Sequence, residues 1–99
     1  MKKTNALTLR LDYDADADVL YISKGRPRPG YGDEGPEDVE LRYSFDDDTP
    51  IGATVVAYKR LNWPKREADL SLIVANHLHI PNEEALFALR SVDKSMFMS

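Results

Sequence analysis

The sequence predicts an α+β protein in which a four-stranded antiparallel sheet is followed by a C-terminal helix or helices packed on one face of the sheet. Up to residue 61, apolar residues alternate with polar ones or form short β-branched runs, which is typical of strands. After Trp63 and Pro64 they recur three and four positions apart, which is typical of an amphipathic helix. A chain of 99 residues has the length of one domain, so we expect residues 1–99 to form a single unit.

The four predicted strands lie within residues 5–61 and are expected to pair as a β-meander of two hairpins. In the first strand, Leu7, Leu9 and Leu11 alternate with polar residues. The other three strands are expected within residues 19–24 (VLYISK), 37–45 (EDVELRYSF) and 51–61 (IGATVVAYKRL). Residues 25–36 carry four glycines and three prolines, which interrupt strand pairing, so they predict a long loop.

A helical part is predicted over residues 64–92, with a tail over residues 93–99. One helical face would carry the apolar or half-apolar residues Leu70, Ile73, Val74, His77 and Leu78. The run LSLIVA also suits a buried strand, so residues 69–76 stay open between helix and strand. Pro81 ends this element, and Asn82 is a suitable start for a second helix.

The composition excludes several classes of function. The chain has no cysteine, which excludes disulfides and thiolate metal sites, and its net charge of −4 gives no general attraction to nucleic acid or anionic lipid. No apolar run is long enough to cross a bilayer, and no leader is apparent, so we expect a soluble cytoplasmic protein without membrane contact.

Charge is unevenly distributed along the sequence. Residues 33–48 contain eight acids against the single base Arg42. A basic cluster follows, made of Lys59, Arg60, Lys65 and Arg66. Such opposed patches are either solvated faces or surfaces through which two copies of the chain dock.

Aspartates occupy every second position of the stretch DYDADAD, residues 12–18. A calcium loop of the helix-loop-helix kind needs glycine at its sixth position and glutamate at its twelfth, but counting from Asp12 these are Ala17 and Ser23. The stretch instead suits a turn between two strands, because aspartate side chains bond nearby backbone N–H groups. Asp14 and Asp18 are therefore predicted to structure this turn.

No catalytic, cofactor or metal site is predicted. His77 and His79 are one residue apart, but no third ligand has a suitable spacing. The serines lack an activating context, and no phosphate loop or nucleophile elbow is present. The stretch YKRLNWPKR, residues 58–66, interleaves aromatic and basic residues, which suits either single-stranded nucleic acid or a strand end where the tryptophan closes the core.

The stretch YDADADVLYI, residues 13–22, resembles the opening signature of a family of small bacterial proteins, domain-of-unknown-function family 2283 (DUF2283). A second stretch, DDDTPIGATVV (46–56), resembles the family's aspartate turn and following strand through Asp46, Ile51 and Gly52. The chain departs from the family in lacking the usual turn glycine and in having Thr54 in place of an acid. The resemblance implies a compact β-meander, no established activity, turn-structuring roles for Asp46 and Gly52, and an antitoxin-like role beside a toxin partner.

We therefore expect a non-enzymatic binding or interaction protein, a homodimer whose edge strands are open to a partner. The predicted interaction surface consists of Tyr21, Tyr43, Tyr58 and Trp63. The alternative is an antitoxin-like nucleic-acid-binding regulator, because the sequence of residues 75–89 suits a helix, a short turn and a second helix. Glu83 and Glu84 disfavour it because they would repel phosphates. A small enzyme of unknown reaction is the third hypothesis.

Overall fold

The chain forms one five-stranded antiparallel sheet and two C-terminal helices in a computed structural model that describes residues 9–98, with side chains through residue 92. The strands are β1 (Leu9–Asp14), β2 (Val19–Lys24), β3 (Gly30–Glu34), β4 (Glu40–Ser44) and β5 (Pro50–Val56). The helices are α1 (Glu67–Leu78) and α2 (Asn82–Met98). The predicted α+β class is confirmed, while the number of strands and their order are not as predicted.

The additional strand is β3, which lies inside the residues 25–36 predicted to be a loop. It reads GYGDE and lacks any apolar alternation, so the pattern that indicates a strand is absent. Among the described strands it pairs only with β4, and it lies at one edge of the sheet, where it needs no second apolar face. A Cβ at Gly30 would collide with the carbonyl oxygen of Tyr43, so this close approach requires glycine.

The predicted meander is wrong because the strand order is β1-β2-β5-β4-β3. The chain crosses from β2 to the far edge of the sheet and returns through β4 to β5, which lies in the centre. Residues 51–55 of β5 are all buried, and burial on both faces suits a central strand rather than an edge strand. The prediction placed this apolar run last in space because it comes last in sequence.

Strand β5 ends at Val56 and does not continue to residue 61 as predicted. Ala57 has a φ of 57°, a left-handed conformation that turns the chain out of the sheet. The turn carries Tyr58 and Trp63 under the sheet, where both are fully buried in the hydrophobic core. A short 3₁₀ helix, Trp63–Lys65, then leads into α1.

Residues 69–76, left open between helix and strand, are helical. Helix α1 buries Leu70, Val74 and Leu78 against the sheet residues Leu20 and Val55. It ends where His79 adopts a left-handed conformation with a φ of 57°. The Ser71 hydroxyl donates to the Asn82 side chain over 2.8 Å, which joins α1 to the start of α2.

Helix α2 runs to Met98, so the tail predicted over residues 93–99 is wrong for residues 93–98, and residue 99 lies outside the described residues. The predicted strand residue Leu7 also lies outside them. No helix in the described part of the chain is long and apolar enough to cross a membrane.

The two helices cover one face of the sheet. Successive residues of a strand point to opposite faces. Leu20 and Ile22 of β2 are buried toward the helices, so Tyr21 and Ser23 lie on the other face, which we call the open face. Across the strand register, Thr54 and Gly52 of β5 share the open face with them.

Replacing Gly52 with alanine is expected to destabilise the fold by about 1–3 kcal/mol. A Cβ at Gly52 would collide with the Ile22 carbonyl oxygen of the neighbouring strand, which cannot move without breaking the pairing of β2 with β5. Urea denaturation measures the change. The matched control is Gly32→Ala, where the three atoms nearest to a Cβ all belong to the exposed side chain of Glu40, which can rotate away, and the expected change is within about 0.5 kcal/mol. An equal decrease in the free energy of unfolding in Gly52→Ala and Gly32→Ala would contradict this account of Gly52.

Candidate functional site

The aspartate stretch forms the turn between β1 and β2. The Asp14 carboxylate accepts hydrogen bonds from the backbone N–H groups of Asp16, over 3.1 Å, and Ala17, over 3.2 Å. This is the local bonding by which aspartate favours turns. The oxygen of Asp14 is directed at the backbone of the turn.

Asp18 makes longer-range contacts. Its φ is 58°, a left-handed conformation at the end of the turn. One carboxylate oxygen accepts the Tyr13 hydroxyl over 2.7 Å and the Lys59 N–H over 2.8 Å, and the other accepts the Arg60 N–H over 3.1 Å. The Asp18 carbonyl oxygen also accepts the Tyr58 N–H over 3.0 Å. Asp18 therefore joins the β1–β2 turn to the segment that follows β5, a contact between distant residues that sequence spacing cannot indicate.

The hydrogen bonds of Asp18 also determine the ionisation of the Asp18 carboxyl and the Tyr13 hydroxyl. Desolvation would raise the pKa of Asp18, but the hydrogen bonds from Lys59, Tyr13 and Arg60 outweigh it and hold the pKa below its ordinary value. Desolvation, together with the bond to Asp18, raises the pKa of Tyr13 to about 12. At neutral pH the carboxylate is charged and the phenol is protonated, so neither group is poised for acid–base catalysis.

The second aspartate turn, between β4 and β5, depends on a different residue from the one predicted. Asp47 accepts the Thr49 hydroxyl over 2.8 Å and the Thr49 N–H over 3.2 Å, and these bonds lower the pKa of Asp47. Asp46 contributes its backbone N–H, which donates to the Ser44 hydroxyl over 3.1 Å. Gly52 lies beyond the turn, inside β5.

The predicted interaction surface is wrong for two of its four members. Tyr58 is 0% exposed and Trp63 is 2% exposed, so neither ring can contact a partner or stack on a nucleic-acid base. Both were predicted to be contact residues because aromatic side chains are enriched in protein interfaces. Tyr21 is 47% exposed on the open face, and Tyr43 is half-buried.

A group of three aromatic residues lies instead on β3 and at the end of its neighbour β4, and two of its three rings are exposed. The rings of Tyr31 and Tyr43 stack with centroids 5.6 Å apart, and Phe45 lies 5.9 Å from Tyr31. Phe45 is 66% exposed, and Tyr31 donates its hydroxyl to Asp48 over 2.7 Å. We call Tyr31, Tyr43 and Phe45 the aromatic edge. Tyr31 was missed because its segment was predicted to be a loop.

Acidic residues lie at both ends of the aromatic edge. One group adjoins the end of β3 and the start of β4, and the other forms the β4–β5 turn. All of them are exposed: Asp33, Glu34, Glu37, Asp38 and Glu40 in the first group, and Asp46, Asp47 and Asp48 in the second. Glu37 is paired with Arg66 and Asp47 with Arg28, and the other six acids leave the surface beside β3 with a net negative charge.

His77 and His79 do not share a site. His77 lies 3.1 Å from the Arg42 carbonyl oxygen through its Nε2 atom, and its ring meets the edge of Tyr43 at a centroid distance of 5.1 Å. Burial lowers the pKa of His77, although the nearby carbonyl groups act in the opposite direction. His79 is exposed at the end of α1. Among the described residues, no group of three or more His, Cys, Asp or Glu side chains is placed to hold a metal ion.

Comparison of the chain with protein-family models, curated proteins and solved structures found no match. The resemblance to domain-of-unknown-function family 2283 therefore stays a prediction.

Replacing Asp18 with asparagine is expected to lower the free energy of unfolding by about 1–2 kcal/mol, discounted for the partial exposure of the site. The amide retains one acceptor oxygen and places its NH₂ group against a backbone N–H. Because the pKa of Asp18 is lowered by folding, its contribution is present above the ordinary value of 3.8 and is lost as the pH falls below it. Urea denaturation at a series of pH values is the measurement. The difference in the free energy of unfolding between Asp18→Asn and the unsubstituted protein should become smaller as the pH falls below this value.

The control for Asp18→Asn is Asp16→Asn, an exposed residue of the same turn that contributes its backbone N–H to the bonding. Its expected effect is within about 0.5 kcal/mol. A loss in Asp16→Asn as large as in Asp18→Asn would show that general charge in the turn, rather than the cross-link, is responsible.

Replacing His77 with glutamine is expected to flatten the pH dependence of stability between about pH 7 and about pH 5. Burial lowers the pKa of His77, so its stabilising contribution is present above the ordinary value of 6.5 and is lost as the pH falls. Glutamine can still donate to the Arg42 carbonyl but does not titrate. Thermal unfolding across this range is the measurement, with the exposed His79→Gln as control. If stability depends on pH in the same way in His77→Gln and in the unsubstituted protein, the titration of His77 does not contribute to that dependence and the prediction is wrong.

Proposed function

We propose that this protein is a non-enzymatic interaction protein that binds an extended, basic segment of a partner protein along the free edge of β3. The observation that carries the proposal is the aromatic edge, which lies at the β3 end of the sheet, where no described strand pairs with the outer side of β3, and which has acids at both ends. The proposed contact residues are Tyr31, Tyr43 and Phe45, which replace the buried Tyr58 and Trp63 of the sequence prediction.

The backbone of β3 supports the proposal. Strand β3 pairs with β4 on one side, and no described strand pairs with its other side. An edge strand presents a row of N–H and C=O groups that a further strand can pair with. Gly30 and Gly32 leave the strand without bulky side chains at two of its five positions.

The side chains beside β3 provide anchoring area. Exposed aromatic rings are enriched in the centres of protein interfaces, where they lose much apolar surface to water at little entropic cost. Phe45 is 66% exposed and rests against Tyr31, so a partner side chain can cover it without any rearrangement of the fold. This contact is expected to be the main apolar anchor.

Charge defines the partner. The acids around β3 attract lysine and arginine and repel another acidic edge. Two copies of β3 pairing with each other would bring Asp33 and Glu34 of one copy toward the acidic turn of the other, so self-pairing through this edge is disfavoured. A basic segment of a different protein has the complementary charge.

The proposal is tested by selecting binders from a random peptide-display library and mapping the selected peptides by amide NMR. The enriched peptides should alternate apolar residues with Lys or Arg, and their shifts should map to residues 30–34 and 43–45. Phe45→Ser should weaken binding by about tenfold or more, and added salt should weaken it further.

The matched control is Phe87→Ser on α2, because Phe87 is 61% exposed and lies outside the proposed surface. This variant should bind the selected peptides unchanged. Enrichment of acidic or charge-neutral peptides, or shifts that map elsewhere on the chain, would rule the proposal out.

The antitoxin-like role implied by the family resemblance is one form of this proposal, with a basic toxin as the partner and the cytoplasm as the compartment. The nucleic-acid form is disfavoured, since Tyr58 and Trp63 are buried and α2 begins with Glu83 and Glu84. The predicted homodimer remains a proposal that requires a surface other than β3. Sedimentation equilibrium tests it, and a concentration-independent monomer would contradict it.

A further inference from the structure

The open face of the sheet carries a groove of about 280 Å³ that is separate from the aromatic edge. This volume lies at the small end of the roughly 300–1,000 Å³ found for small-molecule pockets. The β2–β3 connection forms one wall and the strands form the floor. The lining residues that matter are Tyr21, Ser23, Arg28, Arg42, Ile51 and Thr54.

The strand register leaves the Arg42 side chain uncovered by its neighbours across the sheet. Arg42 is paired with Gly32 of β3 on one side and with Gly52 of β5 on the other, so neither neighbour has a side chain. Glu40 extends over Gly32, and no ion pair joins it to Arg42 in the described part of the chain. The guanidinium of Arg42 thus has donors to offer to a ligand.

A second guanidinium is held at the same groove. Arg28 donates to the Ser44 hydroxyl over 3.1 Å and lies 3.9 Å from the Asp47 carboxylate, which fixes its position. Ser44 is 1% exposed, so its hydroxyl is a buried and fixed acceptor. Two arginines lining one small groove favour an anion in a chain whose net charge is −4.

The rest of the lining separates into a polar and an apolar part. Hydroxyl groups of Ser23 and Thr54 belong to the floor, next to Gly52. The β-bulge at Ile51, where the pairing of β4 with β5 shifts register, adds this apolar side chain to the lining, and the Tyr21 ring adds an aromatic one. Asp12, the one acid of the lining, is paired with Arg10 at 3.4 Å.

We propose that this groove binds a small organic anion, with its carboxylate or phosphate group between Arg28 and Arg42 and its apolar part against Tyr21 and Ile51. The binding goes beyond the partner-protein function proposed above and does not depend on it, since the groove and the aromatic edge use different residues. Guanidinium groups bind both kinds of oxyanion through paired N–H donors.

The experiment titrates benzoate and phenyl phosphate in separate arms and follows amide NMR shifts, with neutral benzamide as the reference probe. Saturable shifts at residues 21–23 and 52–54 with either anion support the proposal, and the arm that binds more tightly identifies the oxyanion. Binding should weaken about tenfold or more in Arg42→Met and in Arg28→Met.

The matched control is Lys65→Met, which removes the same unit of charge at an exposed position outside the groove. It should leave binding unchanged, and urea denaturation verifies that all three variants are folded. The proposal is overturned if neither anion gives saturable shifts, if benzamide binds as well as the anions, or if Lys65→Met weakens binding as much as Arg42→Met.

Discussion

The structure depends on the contact between the Asp18 carboxylate and the backbone of Lys59 and Arg60. The chain leaves the sheet after Val56, and it must turn under the sheet for the helices to cover the correct face. A charged acceptor that bonds two successive N–H groups holds this turn, and the Tyr13 hydroxyl completes the bonding. Tyr58 immediately precedes Lys59 and Arg60, Trp63 comes three residues after them, and both aromatic side chains belong to the hydrophobic core. A polar contact between distant residues therefore determines how the apolar residues pack.

This cross-link also shows where sequence reasoning succeeds. Local periodicity identified the strands at residues 19–24 and 37–45 and the change to helical spacing after Pro64, because each depends on which neighbours in sequence share a face. The turn role of Asp14 follows from the same local chemistry. Lys59 and Arg60, whose backbone N–H groups donate to Asp18, are 41 and 42 residues away in sequence, and no local pattern indicates them.

The errors have a common physical cause. Strand β3 lacks the alternation of apolar residues because an edge strand exposed on both sides does not need it, so its sequence resembles that of a loop. Tyr58 and Trp63 were predicted to be contact residues because aromatic side chains are enriched in interfaces, and the left-handed turn at Ala57 that precedes them occurs at a residue without the usual glycine signal. For the same reason the sequence did not predict the two candidate surfaces. Tyr31 lies in the unpredicted strand, and Arg28 and Arg42 line one groove because the connection between β2 and β3 crosses the sheet.

The central position of β5 has a consequence for synthesis on the ribosome. The β1–β2 hairpin can form as soon as residue 24 emerges, but its neighbour in the sheet does not emerge until residues 50–56 have been made. Until then, the inner edge of β2, with the apolar Leu20 and Ile22, has no partner strand. The nascent chain thus passes through an interval in which this edge is open to incorrect pairing with other nascent chains. Residues 33–48, with eight acids and one base, are translated during that interval, and their charge would keep neighbouring nascent chains apart.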